Sequence, residues 1–135
     1  MDASVALKWL VGEAGSDAAA ALLDGPALLA PELIHVEIAN ALWRMARVGR
    51  IAEADAADAL ALLARLPLRR RVADRHLAPE ALRLAQLLDH PACDCLYLAL
   101  AMDAGAPVVT ADRRFVAAAA RDAASAPLVV DLAAL

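Results

Sequence analysis

The chain has 135 residues, of which 62% are hydrophobic and 22% charged, and its net charge is −4. This length suits a single domain with a buried core, and no repeat or linker divides residues 1–135. The negative charge excludes a protein that coats nucleic acid by charge alone. Charged residues interrupt the apolar runs well before the roughly 20 residues of a membrane span. Because the first residues also lack a signal-peptide pattern, we expect a cytoplasmic protein without a membrane partner.

The predicted elements alternate between helices and short apolar strands. In chain order they are a strand stub at 1–3, helices at 4–13 and 16–23, a strand at 27–30, helices at 31–48 and 54–66, a strand at 68–73, helices at 78–88 and 94–104, a strand at 107–110, a helix at 112–120 and a strand at 127–130. Ser16 is expected to cap a helix, Pro31 to begin one and Gly105 to end one. This order indicates an α/β fold with a parallel sheet covered on both faces.

The only two cysteines, Cys93 and Cys95, are too few and too close for a disulfide framework. A closed zinc site needs about four ligands, and His90 is the one histidine near them in sequence. We therefore interpret both cysteines as small apolar packing residues.

Two acids stand where predicted strands end and helices begin, which is the ligand-binding edge of a parallel sheet. Asp2 follows the first strand stub, with Ser4 two residues later. Asp112 follows the strand at 107–110, with Thr110 two residues earlier. Helix capping is the alternative role for each aspartate.

Two further acids lie on predicted helices. Glu37 shares an apolar face with Leu33 and Ala41, where an ionised carboxylate is costly unless it is paired or binds a metal. Asn40 lies on the same face, and exposure along one edge is the alternative for Glu37. Asp94 opens "DCLYLALAMDAG", a helix that is apolar nearly all round and therefore central and buried. A carboxylate at such a helix start is favoured by the dipole, so capping alone also explains Asp94.

Four carboxylates that converge raise one another's pKa unless a cation lies among them. Oxygen ligands favour magnesium or manganese, and such ions serve phosphoryl chemistry. The acids therefore predict a metal-dependent phosphodiesterase-like site. A magnesium phosphomonoesterase is a weaker alternative, because "MDAS" lacks the second aspartate of a DxD motif.

Three segments, "MDASVALKWL", "APELIHVEIANALWR" and "DCLYLALAMDAGAPVVTADRRF", together resemble the PIN-domain ribonucleases, specifically the VapC-type toxins of type II toxin–antitoxin systems. The likeness extends from residue 1 to about residue 131. It implies a single PIN-like domain, a three-layer α/β/α sandwich around a parallel sheet, that cleaves RNA with Mg²⁺ or Mn²⁺. A catalytically weak or inactive PIN-like module that binds RNA or a partner is the alternative.

The resemblance also implies roles for single residues. The metal-binding and catalytic acids correspond to Asp2, Glu37, Asp94 and Asp112. Thr110, Ser4 and Asn40 correspond to polar supporting positions. The implied reaction is hydrolysis of an RNA phosphodiester by a metal-bound water, which leaves a 5′-phosphate.

Two departures from the family pattern concern Met1 and Cys93. Only Met1 precedes Asp2, where relatives have several β-forming residues. We expect a longer native start, and the alternative is a very short strand that loosens Asp2. Cys93 stands where an aromatic or small residue is common, and we expect this to change packing more than chemistry.

The resemblance further implies a homodimer and a VapB-type antitoxin whose tail covers the acidic groove, often with an arginine. Trp9, Leu10 and Trp43 are candidates for a partner surface, but we favour a buried position for them. Arginines recur at 44, 47 and 50 and at 69–71, and solvated faces are the simplest interpretation of both clusters.

Overall fold

The computed structural model describes residues 1–72 and 76–135. Within these residues the helices are α1 (Ala3–Leu10), α2 (Ser16–Ala21), α3 (Ile34–Arg47), α4 (Glu53–Leu63), α5 (Leu77–Leu88), α6 (Ala92–Ala104) and α7 (Arg113–Ala119). The strands are β1 (Leu28–Pro31), β2 (Leu68–Arg71), β3 (Val108–Thr110) and β4 (Val129–Asp131). Short 3₁₀ turns occupy Leu22–Asp24, Ala126–Leu128 and Leu132–Ala134. Among the described helices, we find none with the length and apolar character needed to span a bilayer.

The strands pair in parallel, which agrees with the predicted α/β class. β1 pairs with β2 from Leu28 opposite Leu68, and β3 pairs with β4 from Val108 opposite Val129. In the described part of the chain these are two separate two-stranded sheets. Parallel strands need crossover connections, and the intervening helices provide them.

The first two residues lie between the two strand pairs. The Met1 amino group donates to the Leu29 carbonyl of β1 at 3.3 Å, and the Asp2 amide donates to the Val109 carbonyl of β3 at 3.0 Å. The predicted strand stub at 1–3 is nevertheless wrong, because α1 already begins at Ala3. Asp2 caps this helix, with Oδ1 accepting from the amides of Ser4 and Val5.

Helix α6 forms the centre of the core, as its apolar sequence predicts. Residues 95–101 are all buried, and the helix packs against α5, β1 and β3. It begins at Ala92 rather than at Asp94, because Pro91 occupies the extended position immediately before the helix. Asp94 therefore lies in the first turn of α6 and does not cap it.

Helices α1, α2 and α4 end two or three residues before the predicted residues 13, 23 and 66. Two prolines explain two further errors in the predicted bounds. Pro31 does not begin α3 but ends β1, and the ladder continues as the Glu32 amide donates to the Arg71 carbonyl at 2.8 Å. Pro127 belongs to a 3₁₀ turn, so the last strand begins at Val129 rather than at residue 127. The predicted strand at 68–73 is present up to Arg71, and its residue 73 lies outside the described residues.

Candidate functional site

Asp2 is a buried carboxylate with both oxygens held. Its side chain accepts from the Ser4 hydroxyl at 2.6 Å through Oδ1 and from the Thr110 hydroxyl at 2.5 Å through Oδ2. The residue is 4% exposed. Burial raises the pKa of Asp2, and the hydrogen bonds from Ser4 and Thr110 oppose that rise. These contacts hold Asp2 in place, contrary to the alternative in which a very short first strand loosens it.

The same hydroxyl groups connect Asp2 to the loop that carries Asp112. Thr110 Oγ1 accepts from the Asp112 amide at 2.9 Å, and Ser4 Oγ accepts from the Ala111 amide at 2.8 Å. Asp112 Oδ1 accepts from the Arg114 amide at 2.8 Å and caps α7. Asp2 and Asp112 thus both cap helices, as the alternative interpretation predicts. Capping uses Oδ1 of each acid, while Oδ2 of Asp2 accepts from Thr110. A carboxylate oxygen has more than one lone pair, so a hydrogen bond does not exclude these oxygens from binding a cation.

Glu37 reaches the site from the middle of α3, which packs against α1. Its Oε2 accepts from the Tyr97 hydroxyl at 2.5 Å. The pKa of Glu37 is raised by burial first, and then by the charges of Asp94 and Asp2, while the bond from Tyr97 opposes the rise. Glu37 is half-buried, so it is not simply a solvated residue on an exposed edge.

Asp94 is half-buried, and its charge interacts with those of Glu37 and Asp112. Burial is the main cause of its raised pKa, the charge of Asp112 adds to it, and His90 opposes it. His90 Nε2 lies 3.0 Å from Asp94 Oδ2. The His90 ring stacks on Phe115 with centroids 4.9 Å apart and planes 10° apart.

The charges of the four predicted acids connect them in a chain from Asp2 through Glu37 and Asp94 to Asp112. Glu37 is influenced by Asp2 and Asp94, and Asp94 is influenced by Asp112. Ligand atoms of Glu37, Cys93 and Asp94 lie within 4.8 Å of one another, and so do those of His90, Asp94 and Asp112. Such a set of mostly carboxylate donors fits a divalent cation.

Two residues of this site were not predicted from the sequence. Tyr97, the only tyrosine of the chain, follows Asp94 by three residues and therefore shares its helix face. This spacing is the signal that identifies it. His90 carries a weaker signal, since it stands four residues before Asp94 and outside α6.

Asn40 is not brought to the acids. It is exposed, and within residues 1–72 and 76–135 no hydrogen bond joins its side chain to any of the four carboxylates. The supporting role of Asn40 stays a prediction without a contact behind it.

The two cysteines differ from each other. Cys95 is fully buried, as predicted, and burial raises the pKa of its thiol to about 11. Its Sγ donates to the His90 carbonyl at 3.8 Å. Cys93 is exposed, so its interpretation as a packing residue is wrong. It lies in the first turn of α6, beside Glu37 and Asp94.

The tryptophans also differ. Trp43 is 55% exposed, so the buried position favoured for it is wrong, and the Arg47 guanidinium lies 5.5 Å from its ring centroid. Trp9 is half-buried, and its Nε1 donates to the Ala19 carbonyl at 2.7 Å. Leu10 is half-buried and packs against the core.

The sequence also matches a known protein family. A model of the PIN domain family, described as "PIN domain", matches residues 1–121. This range includes all four acids together with Ser4, His90, Tyr97 and Thr110. A comparison with curated protein sequences gave no match.

Proposed function

The chain belongs to the PIN domain family, and from this premise we propose that it is an Mg²⁺- or Mn²⁺-dependent endoribonuclease toxin of the VapC type. PIN domains are typically nucleases, and they bind RNA. The observation that carries the proposal is the convergence of Asp2, Glu37, Asp94 and Asp112. These acids come from four separate places in the sequence and interact electrostatically in the fold.

The raised pKa values support a cation at this site. Burial makes the ionised forms of Asp2, Glu37 and Asp94 less favourable, and repulsion by neighbouring carboxylates adds to this effect at Glu37 and Asp94. A divalent ion removes that penalty, because it attracts all the carboxylates at once. Cation binding explains why the fold places these buried and half-buried carboxylates near one another.

Asp2, Glu37 and Asp94 would hold the principal ion, and Asp112 would complete the site. A bound Mg²⁺ or Mn²⁺ would lower the pKa of a water and neutralise charge on the phosphate. The Thr110 and Ser4 hydroxyls fix both oxygens of Asp2. Tyr97 holds Glu37 through Oε2. These hydrogen bonds set the orientation of the carboxylates before the RNA arrives.

The proposed reaction is hydrolysis of one phosphodiester of the RNA. The oxygen of a water forms a bond to phosphorus, and the bond from phosphorus to the 3′ oxygen breaks. The 3′ oxygen leaves with a proton as a hydroxyl group, and the phosphate stays on the 5′ side of the next nucleotide. The half-buried carboxylates Glu37, Asp94 and Asp112 are accessible from the surface and can accept the proton of the attacking water.

Cleavage of RNA by wild type, Asp94→Asn and Asp55→Asn tests the proposal. Asp55 is a matched control, because it lies in the first turn of α4 as Asp94 lies in that of α6. We expect cleavage with Mn²⁺ that stops with a chelator, and a loss of about 100-fold or more in Asp94→Asn only. Equal cleavage by wild type and Asp94→Asn would refute the assigned site. Binding of RNA without cleavage by wild type would favour the inactive module instead.

We also propose that the protein forms a homodimer and is inhibited by a VapB-type antitoxin. Exposed apolar side chains on α3 support a protein–protein surface, since Val36 is 66% and Trp43 55% exposed. The acidic group suits an arginine from an antitoxin tail. Sedimentation of wild type and Trp43→Asp would test the dimer, which we expect to dissociate in the variant. A wild-type monomer at high concentration would contradict it.

A further inference from the structure

His90 is a buried imidazole whose ring is fixed beside the acidic group. Its side chain is 9% exposed, and it stacks on Phe115, which is fully buried near the start of α7. The stack restricts rotation of the ring, so that Nε2 is aimed at Asp94. The position of this nitrogen is therefore set by core packing and not by a flexible surface side chain.

His90 Nε2 is inaccessible to solvent, and it makes no hydrogen bond of acceptable geometry within the described residues. It nevertheless lies 3.0 Å from Asp94 Oδ2. One ring nitrogen of His90 and one carboxylate oxygen of each of Asp94 and Asp112 all lie within 4.8 Å of one another. A buried nitrogen without a hydrogen bond that faces two carboxylates has the arrangement of a metal ligand.

We propose that His90 Nε2 is a nitrogen ligand, with Asp94 and Asp112, for a first-row transition ion of the Mn²⁺ or Co²⁺ class. Imidazole favours such ions, whereas Mg²⁺ prefers oxygen ligands throughout. This end of the acidic group therefore binds Mn²⁺ and Co²⁺ in preference to Mg²⁺. The inference deepens the proposed metal-dependent function by naming the class of ion, and it does not depend on RNA being the substrate.

The second group of ligand atoms agrees with this preference. It shares Asp94 and contains Glu37 and Cys93, whose exposed thiol is again a softer donor than oxygen. The competing explanation for His90 is an imidazolium that forms an ion pair with Asp94. If His90 only pairs with Asp94 and does not bind the metal, no nitrogen ligand is seen at the bound ion, so spectroscopy of that ion distinguishes the two explanations.

Pulsed electron paramagnetic resonance of Mn²⁺ bound to the metal-free full chain is the direct test. Coupling of the manganese electron to an imidazole nitrogen is expected in wild type. It is expected to disappear in His90→Phe, which keeps an aromatic ring against Phe115, and to persist in His35→Gln. His35 is a matched control, because its Nε2 contacts Arg70 Nη1 at 2.9 Å and it belongs to neither group of ligand atoms.

Affinities for the two metals give a second readout. His90→Phe is expected to weaken Mn²⁺ binding by about tenfold or more, and to change Mg²⁺ binding by less than about threefold. Circular dichroism shows whether the variant folds, and if it does not, the nitrogen coupling in wild type decides alone. Absence of that coupling, or of any Mn²⁺ binding, would overturn the inference. Nitrogen coupling in a protein that fails to cleave RNA would support His90 as a metal ligand and contradict the proposed nuclease function.

Discussion

At the scale of single residues, Tyr97 positions one carboxylate of the site. Its hydroxyl donates to Glu37 Oε2 from a buried place on α6, and its pKa is raised by burial and by the nearby acids. The hydroxyl therefore remains a donor at every physiological pH. A donor that stays protonated keeps Glu37 in one orientation.

Tyr97→Phe is expected to lower RNA cleavage and Mn²⁺ affinity by about tenfold to a hundredfold, as the loss of a supporting hydrogen bond does at other metal sites. The ring is retained, so the melting temperature should change little. Cleavage assays and thermal denaturation of the same preparations would check this. Full activity in Tyr97→Phe would show that Glu37 needs no positioning.

The raised pKa values of Asp2, Glu37 and Asp94 predict a pH dependence of metal binding. Each acid binds its proton more tightly in the folded chain than in the unfolded one. Stability from these groups is thus present at low pH and falls as pH rises through the raised values. A metal ion must displace the retained protons, so its binding strengthens over the same pH range.

We therefore expect Mn²⁺ to raise the melting temperature more at about pH 7.5 than at about pH 5. Calorimetry in buffers of different ionisation enthalpy should also detect proton release on binding. An increase in melting temperature that is equal at both pH values would contradict the raised pKa values.

At the scale of elements, the acids at strand ends have two roles that the sequence presents as alternatives. Asp112 caps α7 through Oδ1, and it also raises the pKa of Asp94 through its charge. Asparagine is as good a cap as aspartate, whereas alanine does not cap. Substitutions of Asp112 therefore separate the effect of helix capping on stability from the effect of the carboxylate on the site.

Asp112→Ala should lower the free energy of unfolding by about 1 kcal/mol relative to Asp112→Asn. Both variants should lose RNA cleavage to a similar extent, because both lack the carboxylate. Urea denaturation and cleavage assays would measure the two effects. If Asp112→Asn retained cleavage, Asp112 would be a helix cap alone.

The helices and strands could be predicted where the local sequence determines the structure. The run of apolar residues in α6 identifies a central helix, and the alternation of strands and helices identifies the α/β class. Three of the errors occur at prolines 31, 91 and 127, where the fold determines whether the residue ends a strand or precedes a helix. Propensity alone does not distinguish these cases.

The site was predictable where strand ends and resemblance identify its carboxylates. Tyr97 and His90 depend instead on contacts between distant parts of the chain, Tyr97 with Glu37 of α3 and His90 with Phe115 of α7, which periodicity does not reveal. The exposure of Cys93 and of Asn40 likewise depends on the rotation of a helix about its axis. A few tens of degrees of rotation decide whether such a residue faces the site, and no short sequence pattern specifies that angle.

At the scale of the whole molecule, distant segments meet at one point because residues 1 and 2 lie between the two strand pairs. Met1 bonds to β1 and Asp2 bonds to β3, and α6 packs beneath both strands. The net charge of −4 includes this acidic centre. A cation at the centre would reduce the local negative charge that otherwise opposes an approaching RNA.

The central claim is that the four acids form one cation site, and calorimetric titration of the metal-free protein with Mn²⁺ tests it most directly. Asp55→Asn is again the control for Asp94→Asn. We predict saturable binding in wild type and in Asp55→Asn, and no measurable binding in Asp94→Asn. Absence of binding heat in wild type at millimolar Mn²⁺, or equal binding in Asp94→Asn, would contradict the account.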